Sequence, residues 1–319
     1  MTRLRCAILD DYLNLALNVA DWSKISDRVD VTVFNHHFPS EDAAAAALKD
    51  FEIICAMRER TPFPRTLFAK LPKLKLLLTS GMRNAAIDMD AARERGVVIC
   101  GTQWSQDPTA ALTMSLILEL TRGVGRENAR MHAREPWQSF AGIEIEGKTL
   151  GVVGLGRLGS KVSALAKAFG MKVIAWSPNL TAERCKELGV GYASREELFA
   201  SADIITIHLV LSQRSRGLVG RDDLARMKPT AYLVNTSRGP IVDEQALLET
   251  LREKKIAGAA VDVFSVEPLP VAHPFRKLDN MVLTPHLGYV SGQSLRAHYG
   301  QMVDAIDDWF RGEPSRRLA

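Results

Sequence analysis

The sequence predicts an α/β protein built from two doubly wound parallel sheets. Two observations carry this. Short apolar runs of strand length recur along the chain with helix-length segments between most of them, and 319 residues exceed the roughly 150 that one domain needs. The composition, 46% hydrophobic and 24% charged with 22 Gly and 14 Pro, is that of an ordinary globular protein and excludes disordered, collagenous and coiled-coil chains. The 41 basic and 37 acidic residues are interspersed, so the net charge of +4 forms no basic block that would point to nucleic acid. The apolar stretch from Ala110 to Leu118 contains Thr113 and Ser115 and stops at Glu119, short of the ~20 residues a membrane-spanning helix requires. Asp10 and Asp11 interrupt the first apolar run too early for a secretory segment, so the expected location is the cytoplasm. Cys6, Cys55, Cys100 and Cys185 are far apart with no CxxC pair, which suggests buried thiols, with no disulfide framework and no metal site.

Taken in order, strands are expected at Arg5 to Leu9, Val29 to Phe34, Ile53 to Met57, Leu74 to Thr79 and Val97 to Cys100, with Ala- and Leu-rich helical patterns between them. Asp107 as N-cap and Pro108 in the first turn then open a long apolar helix that runs through Leu120 and starts a second unit. A charged, helix-compatible stretch from Arg122 to Arg134 ends near Pro136 and Trp137, and Gly142 to Gly147 reads as a turn. Six further strands follow, at Thr149 to Val153, Lys172 to Trp176, Asp203 to Leu209, Ala231 to Asn235, Gly258 to Val263 and Met281 to Thr284. Ser294 to Phe310 reads as one amphipathic helix.

The string from Thr149 to Gly159 is the most informative. An apolar strand runs into Gly154, Leu155, Gly156, Arg157, Leu158 and Gly159, and a helix follows. In that context GxGxxG binds a dinucleotide: Gly154 permits the tight turn, Gly156 lets the backbone approach a pyrophosphate, and Gly159 allows close packing of helix on strand. The helix N-terminus then faces the anion. The fold of this half is accordingly Rossmann-like. Ser177 stands after the second strand, where an acid usually binds the ribose diol of NAD. NAD is the expected cofactor, but no acid repels a 2′-phosphate and no adjacent Arg holds one, so NADP stays open.

Three polar residues, Arg238, Glu267 and His286, stand at or just past the ends of late strands, where open α/β sheets bind ligands. Moving a hydride between a carbinol carbon and nicotinamide needs a group to exchange the hydroxyl proton and a cation to polarise the carbonyl and hold a carboxylate. His286 and Arg238 fit those roles. A carboxylate on the far nitrogen of such an imidazole fixes its tautomer and favours its protonated form, a role that Glu267 fits.

The strings GVVGLGRLG at Gly151, NTSRGPIVDEQAL at Asn235, AVDVFSVEPLP at Ala260 and LTPHLG at Leu283 resemble the D-isomer-specific 2-hydroxyacid dehydrogenase family, over nearly the whole chain. The resemblance implies that Arg238, Glu267 and His286 form the catalytic trio. It implies that Arg157, Leu158, Leu209, Thr236, Asp262 and Gly288 join the glycine loop and Ser177 in lining the cofactor site, with Asp262 near the nicotinamide amide. It implies a substrate domain of residues 1–103 plus 290–319, Rossmann-like or flavodoxin-like in fold, with the nucleotide domain of residues 104–289 inserted and a cleft that closes over substrate. Backbone N–H groups of Ser80, Gly81 and Met82 would take the substrate carboxylate, assisted by Arg58. A homodimer through the nucleotide domain is implied, for which Arg122 to Trp137 is the candidate arm.

The chain departs from the family at the GMRNAAID loop, at Leu209 to Leu211, at Ala111 and at Tyr289, so substrate shape and cofactor grip are expected to differ. The expected activity is that of a glyoxylate or hydroxypyruvate reductase-like enzyme acting on a small D-2-hydroxy or 2-oxo acid. Phosphoglycerate also stays open, although 319 residues leave no room for the extra regulatory domain of the long phosphoglycerate dehydrogenases. Glu267 argues against formate, whose oxidation releases no hydroxyl proton. The competing class is a dinucleotide-sensing binding protein similar to transcriptional corepressors of this fold. A chain that begins in a strand and ends soon after a helix argues against it by lacking disordered tails.

Overall fold

The computed structural model describes residues 2–103 and 108–319; Asp107, the expected helix N-cap, lies outside the described residues. The chain divides into two compact units, one of Met1–Gln106 with Val290–Ala319 and one of Asp107–Tyr289.

The first unit holds a five-stranded parallel sheet of order β2-β1-β3-β4-β5, formed by β1 (Leu4–Ile8), β2 (Val29–Val33), β3 (Ile53–Ala56), β4 (Leu76–Thr79) and β5 (Val98–Gly101). Every residue of β3 and β4 is buried, which is why both read as unbroken apolar runs and not as alternating ones. Leu9, Leu48, Phe51, Ile54, Phe68, Leu77 and Ile99 form the centre of the core. A helix at Glu41–Leu48, capped by Ser40, separates β2 from β3 as expected. Between β1 and β2 the expected helical pattern is realised only as a four-residue helix, Ala16–Val19, and a single 3-10 turn, Trp22–Ile25. Asp11 fixes this compact path by accepting the N–H groups of Leu15 and Ala16. The Gly292–Phe310 helix buries Leu295, Tyr299, Met302, Val303 and Ile306, the three-and-four spacing of an amphipathic face. The last residues lie beside β5, with Leu318 N–H donating to Ile99 and Gly101 N–H to Arg316, and so cover an otherwise open sheet edge.

The second unit holds seven parallel strands in the order β12-β11-β10-β9-β6-β7-β8. These are β6 (Thr149–Val153), β7 (Lys172–Trp176), β8 (Gly191–Tyr192), β9 (Ile204–Ile207), β10 (Tyr232–Asn235), β11 (Gly258–Val261) and β12 (Met281–Leu283). The count of six expected from the sequence misses β8, whose two exposed residues are too short to show a period. Alternate residues of β6 serve the two faces: Leu150 and Val152 pack with Ile117, Val162 and Ala166, while Val153 packs with Leu198, Phe199 and Leu247. Strand order reverses between β6 and β9, which places a switch point at their carboxyl ends. The Pro108–Arg122 helix stops at Gly123, whose φ of +60° suits glycine, and Val124–His132 then forms a helix with no buried residue.

Among the described residues no helix is long and apolar enough to cross a membrane. The four thiols are buried and unbridged.

Candidate active site

The glycine loop separates two kinds of demand. Gly154 has a φ of +103°, and a Cβ there would meet the His208 carbonyl oxygen at 2.6 Å; a Cβ on Gly159 would lie 2.0 Å from the Gly154 carbonyl oxygen. Both positions are closed by the fold itself. Gly156 is different: it is exposed, nothing lies within 4 Å of where its Cβ would be, and it opens the Arg157–Ala168 helix without a side-chain cap. A helix start with no side-chain cap, entered by a glycine with room beside it, is what an anion site requires. Arg157 is exposed at the first helical position and Leu158 packs against the core below it. Ser177 sits in the turn after β7, its carbonyl accepting Leu180 N–H.

His208, at the end of β9, is a residue that sequence reasoning missed. Its Nε2 is 3.0 Å from Thr206 Oγ1, while its Nδ1 is buried and has no hydrogen-bond partner among the described residues. Burial pushes its pKa down to about 3, so the ring is a neutral one with an uncommitted nitrogen, on a residue whose backbone carbonyl lies against the glycine turn. A buried orphan of this kind calls for a polar partner, and the loop and this nitrogen together fit a bound dinucleotide. The readable signal was a histidine directly after the buried run Ile204–Ile207, on the strand next to the glycine loop. Leu209 follows it and packs on the core.

The polar residues at the ends of β10, β11 and β12 form a connected set. Ser237 donates its hydroxyl to the Ile207 carbonyl at 2.7 Å, and Asn235 donates to the Arg238 carbonyl at 3.0 Å, so the turn carrying Arg238 is fixed to two strand ends. The Arg238 guanidinium donates to the Ser237 carbonyl at 2.7 Å. Thr236 is buried with its hydroxyl 2.9 Å from that of Thr113, a partner 123 residues away. Asp262 is buried and holds the following turn with both oxygens: Oδ1 accepts from the Thr284 hydroxyl at 2.6 Å and Leu287 N–H at 2.7 Å, and Oδ2 from Gly288 N–H at 2.8 Å. Burial pushes its pKa up, against those donors and the nearby imidazole of His286. The Gly288 carbonyl in turn accepts the Thr109 hydroxyl at 2.6 Å.

That turn presents His286 in a left-handed backbone conformation, φ 54°, uncommon for a residue with a side chain and frequent at working sites. His286 Nδ1 is 2.6 Å from Glu267 Oε2, while Glu267 Oε1 accepts Phe264 N–H at 2.9 Å. Burial alone would raise the Glu267 pKa, but the His286 hydrogen bond and charge, the Phe264 N–H and the Arg238 charge outweigh it and leave it below the ordinary value. The Tyr289 ring stands edge-on to the imidazole, centroids 5.5 Å apart at 79°. Arg238, Glu267 and His286, chosen from separate stretches of sequence, are thus brought together electrostatically.

In the first unit, Arg58 follows β3 with a φ of 53°; its N–H donates to Ser80 Oγ at 2.9 Å and its guanidinium to the Ser80 carbonyl at 3.1 Å. The expectation that Ser80, Gly81 and Met82 all offer N–H groups is narrowed. Ser80 N–H donates to the Ala56 carbonyl and Gly81 N–H to Thr102 Oγ1, whereas Met82 N–H has no bond to the described residues. Among the described residues there is no cluster of His, Cys, Asp and Glu that could hold a metal ion.

Residues 114–288, more than half of the chain, match the family described as D-isomer specific 2-hydroxyacid dehydrogenase, NAD binding domain. The chain belongs to this dehydrogenase family. Within it, the chain is 38% identical over 270 residues to a D-3-phosphoglycerate dehydrogenase of Methanocaldococcus jannaschii, a match covering 83% of this chain and 51% of that one. It is 33% identical over 290 residues to a glyoxylate reductase of Korarchaeum cryptofilum, covering 88% and 86%. A solved phosphoglycerate oxidoreductase from Vibrio cholerae superposes with a TM-score of 0.92 at 34% identity, covering 97% of this chain and 99% of that one. The chain spans about half the length of the curated D-3-phosphoglycerate dehydrogenases it matches. The matched residues, 114–288, lie within the Asp107–Tyr289 unit and correspond to the NAD-binding domain of this dehydrogenase family, with NAD or NADP as the cofactor.

Proposed function

We propose that this chain is an NAD(P)-dependent D-2-hydroxyacid dehydrogenase that works as a reductase of small 2-oxo acids such as glyoxylate or hydroxypyruvate. The observation that carries the reading is the 2.6 Å contact between His286 and Glu267, with the Arg238 charge beside it, in the unit that also carries the glycine loop. When bound, the nicotinamide supplies or accepts the hydride. His286 donates Nδ1–H to Glu267, which leaves Nε2 to exchange the proton of the substrate oxygen. Glu267, held by Phe264 N–H, fixes the tautomer and orientation of that ring. Arg238 holds the substrate carboxylate and stabilises charge that develops on the carbonyl oxygen. Thr236, Asp262 and Gly288 support the turns that carry these groups and line the cofactor site.

The Met1–Gln106 and Val290–Ala319 unit is assigned to the substrate, with Arg58 and the Met82 N–H as its donors toward the carboxylate. NAD is assigned ahead of NADP, since the turn at Ser177 lacks an adjacent basic residue for a 2′-phosphate. A homodimer through the nucleotide unit is supported by the Val124–His132 helix, none of whose residues is fully buried, and by Trp137, 73% exposed. The cytoplasm is the proposed compartment.

The test is purified protein with NADH or NADPH and a panel of 2-oxo acids, followed by loss of reduced-nicotinamide absorbance beside a His286→Ala control. Consumption that depends on His286 is expected. Tight coenzyme binding with no consumption of any acid would make the chain a sensor and sink the proposal.

A further inference from the structure

We infer that His298, acting through Thr102, is a positioning residue that holds the Ser80–Met82 loop in the form that receives the substrate carboxylate. The inference rests on the assignment of that loop to the substrate. Thr102 follows β5 and His298 lies on the Gly292–Phe310 helix; both are fully buried, and Thr102 Oγ1 is 2.6 Å from His298 Nδ1 although the residues are 196 positions apart. The same hydroxyl accepts Gly81 N–H at 3.0 Å, and Thr102 N–H donates back to the Gly81 carbonyl at 3.3 Å.

A hydroxyl has one proton and two lone pairs. Burial first, and the Arg58 charge second, push the His298 pKa down to about 4, so the ring is neutral at physiological pH. One lone pair of the hydroxyl receives Gly81 N–H, and the bond to Nδ1 runs in the direction set by the imidazole tautomer. In either direction the hydroxyl oxygen is fixed between the ring and the Gly81 N–H. An apolar residue at position 102 removes that oxygen, and one at position 298 removes what holds it. A buried polar chain of this kind adds orientation more than stability.

Two contacts make the loop sensitive to this hold. A Cβ on Gly101, the last residue of β5, would lie 2.6 Å from the Gly81 carbonyl oxygen and 3.1 Å from Met82 Sδ, so the strand end is pressed against the loop. On its other side the loop is gripped by Arg58, through Ser80 Oγ and the Ser80 carbonyl. Gly81, with a φ of 93°, is the joint between the two grips, and Met82 N–H is the next donor along the chain. Releasing Gly81 therefore moves the one donor of the three that is left for a ligand.

The test compares Thr102→Val, Thr102→Ser and His298→Phe with the wild type. In Thr102→Val and His298→Phe, KM for the best 2-oxo acid is expected to rise about tenfold while kcat falls less than threefold, with the NADH dissociation constant unchanged. Thr102→Ser, which keeps the hydroxyl, should restore KM to within about twofold. Amide hydrogen exchange of peptides covering residues 79–84 should accelerate in the Val variant and not in the Ser variant, a readout that needs no substrate. Should His298→Phe fail to fold, the Val and Ser pair decides. A folded Thr102→Val protein with unchanged KM, or with unchanged exchange at 79–84, overturns the inference while the dehydrogenase reading stands. A wild type that consumes NADH with no 2-oxo acid overturns that reading, and with it the substrate role given to the loop.

Discussion

At the carboxyl ends of β3 and β4, the first unit commits its polar groups to its own chain, with the Met82 N–H as the exception. Ser80 N–H goes to Ala56, Gly81 N–H to Thr102, and the Arg58 guanidinium to the Ser80 carbonyl. At the carboxyl ends of β6 and β9, the second unit leaves a buried His208 nitrogen without a partner among the described residues, and open space where a side chain on Gly156 would stand. Both sheets are parallel and both have cores of the same residue types, so architecture does not explain the contrast. What distinguishes a ligand site here is incomplete polar accounting at a strand end, together with residues locked around it. The surroundings of the trio illustrate the locking: Asp262 holds the turn after His286 through Leu287 and Gly288 N–H, and Glu267, itself held by Phe264 N–H, orients the imidazole.

The largest test of this contrast removes a cation from each unit. Arg238→Gln is expected to lower kcat/KM by about a thousandfold, roughly 4 kcal/mol of transition-state stabilisation, with coenzyme affinity intact. Arg58→Gln should cost about tenfold and chiefly in KM, because its proposed role is to bind the substrate carboxylate and not to meet charge developing on the carbonyl oxygen. Equal losses in kcat from the two would break the comparison. The glycines sharpen it further. Gly159→Ala forces a Cβ to within 2.0 Å of the Gly154 carbonyl oxygen, backbone that cannot swing aside, so stability should fall by about 3 kcal/mol and coenzyme binding should weaken with it. Gly156→Ala meets nothing within 4 Å and should fold normally, yet weaken coenzyme about tenfold, because its added methyl enters the space assigned to the pyrophosphate. Thermal melts with NADH fluorescence titrations separate the two; a Gly156→Ala protein that binds NADH normally would remove Gly156 from the site.

Much of this was legible in the sequence because it is local. The strand-glycine-helix string and the turns carrying Arg238 and His286 announce themselves within a few residues, since each needs particular residue types for its backbone path. Strand ends were read too long where apolar residues leave the sheet: Asp203 to Leu209 shrinks to Ile204–Ile207 because His208 and Leu209 turn toward the glycine loop. What could not be read is contact between distant segments. Thr113 with Thr236, Thr109 with Gly288, and Thr102 with His298 join positions 123, 179 and 196 residues apart, and each partner alone is an unremarkable threonine, glycine or histidine. The domain roles and the substrate residues came from resemblance, not from any local signal. For the substrate loop, spacing gave no hint that two of its three N–H groups are already bonded.

A last comparison sets one buried imidazole of each unit against the other through pH. His208 and His298 are both held neutral by burial, with pKa values pushed down to about 3 and about 4 from the ordinary 6.5. In the unfolded chain each would take up a proton near 6.5, so between that pH and the folded value only the unfolded state binds it. Their contribution is therefore fully present above pH 6.5 and is lost as pH falls toward 4. Between pH 7.5 and 5 each should cost about 2 kcal/mol of stability, as 1.36 kcal/mol per pH unit over the window in which the unfolded chain alone is protonated. Glu267 acts in a lower window, because its folded pKa lies below the ordinary 4.5 and its contribution is lost only as pH falls through that range. Urea unfolding at pH 7.5 and pH 5, followed in the wild type and in His298→Gln, checks the assignment. The Gln variant keeps a side-chain oxygen for the Thr102 hydroxyl and removes one titration, so it should lose about 2 kcal/mol less than the wild type on acidification. Saturating NADH should flatten the share that remains if coenzyme engages His208 Nδ1, and leave it unchanged if that nitrogen faces no ligand.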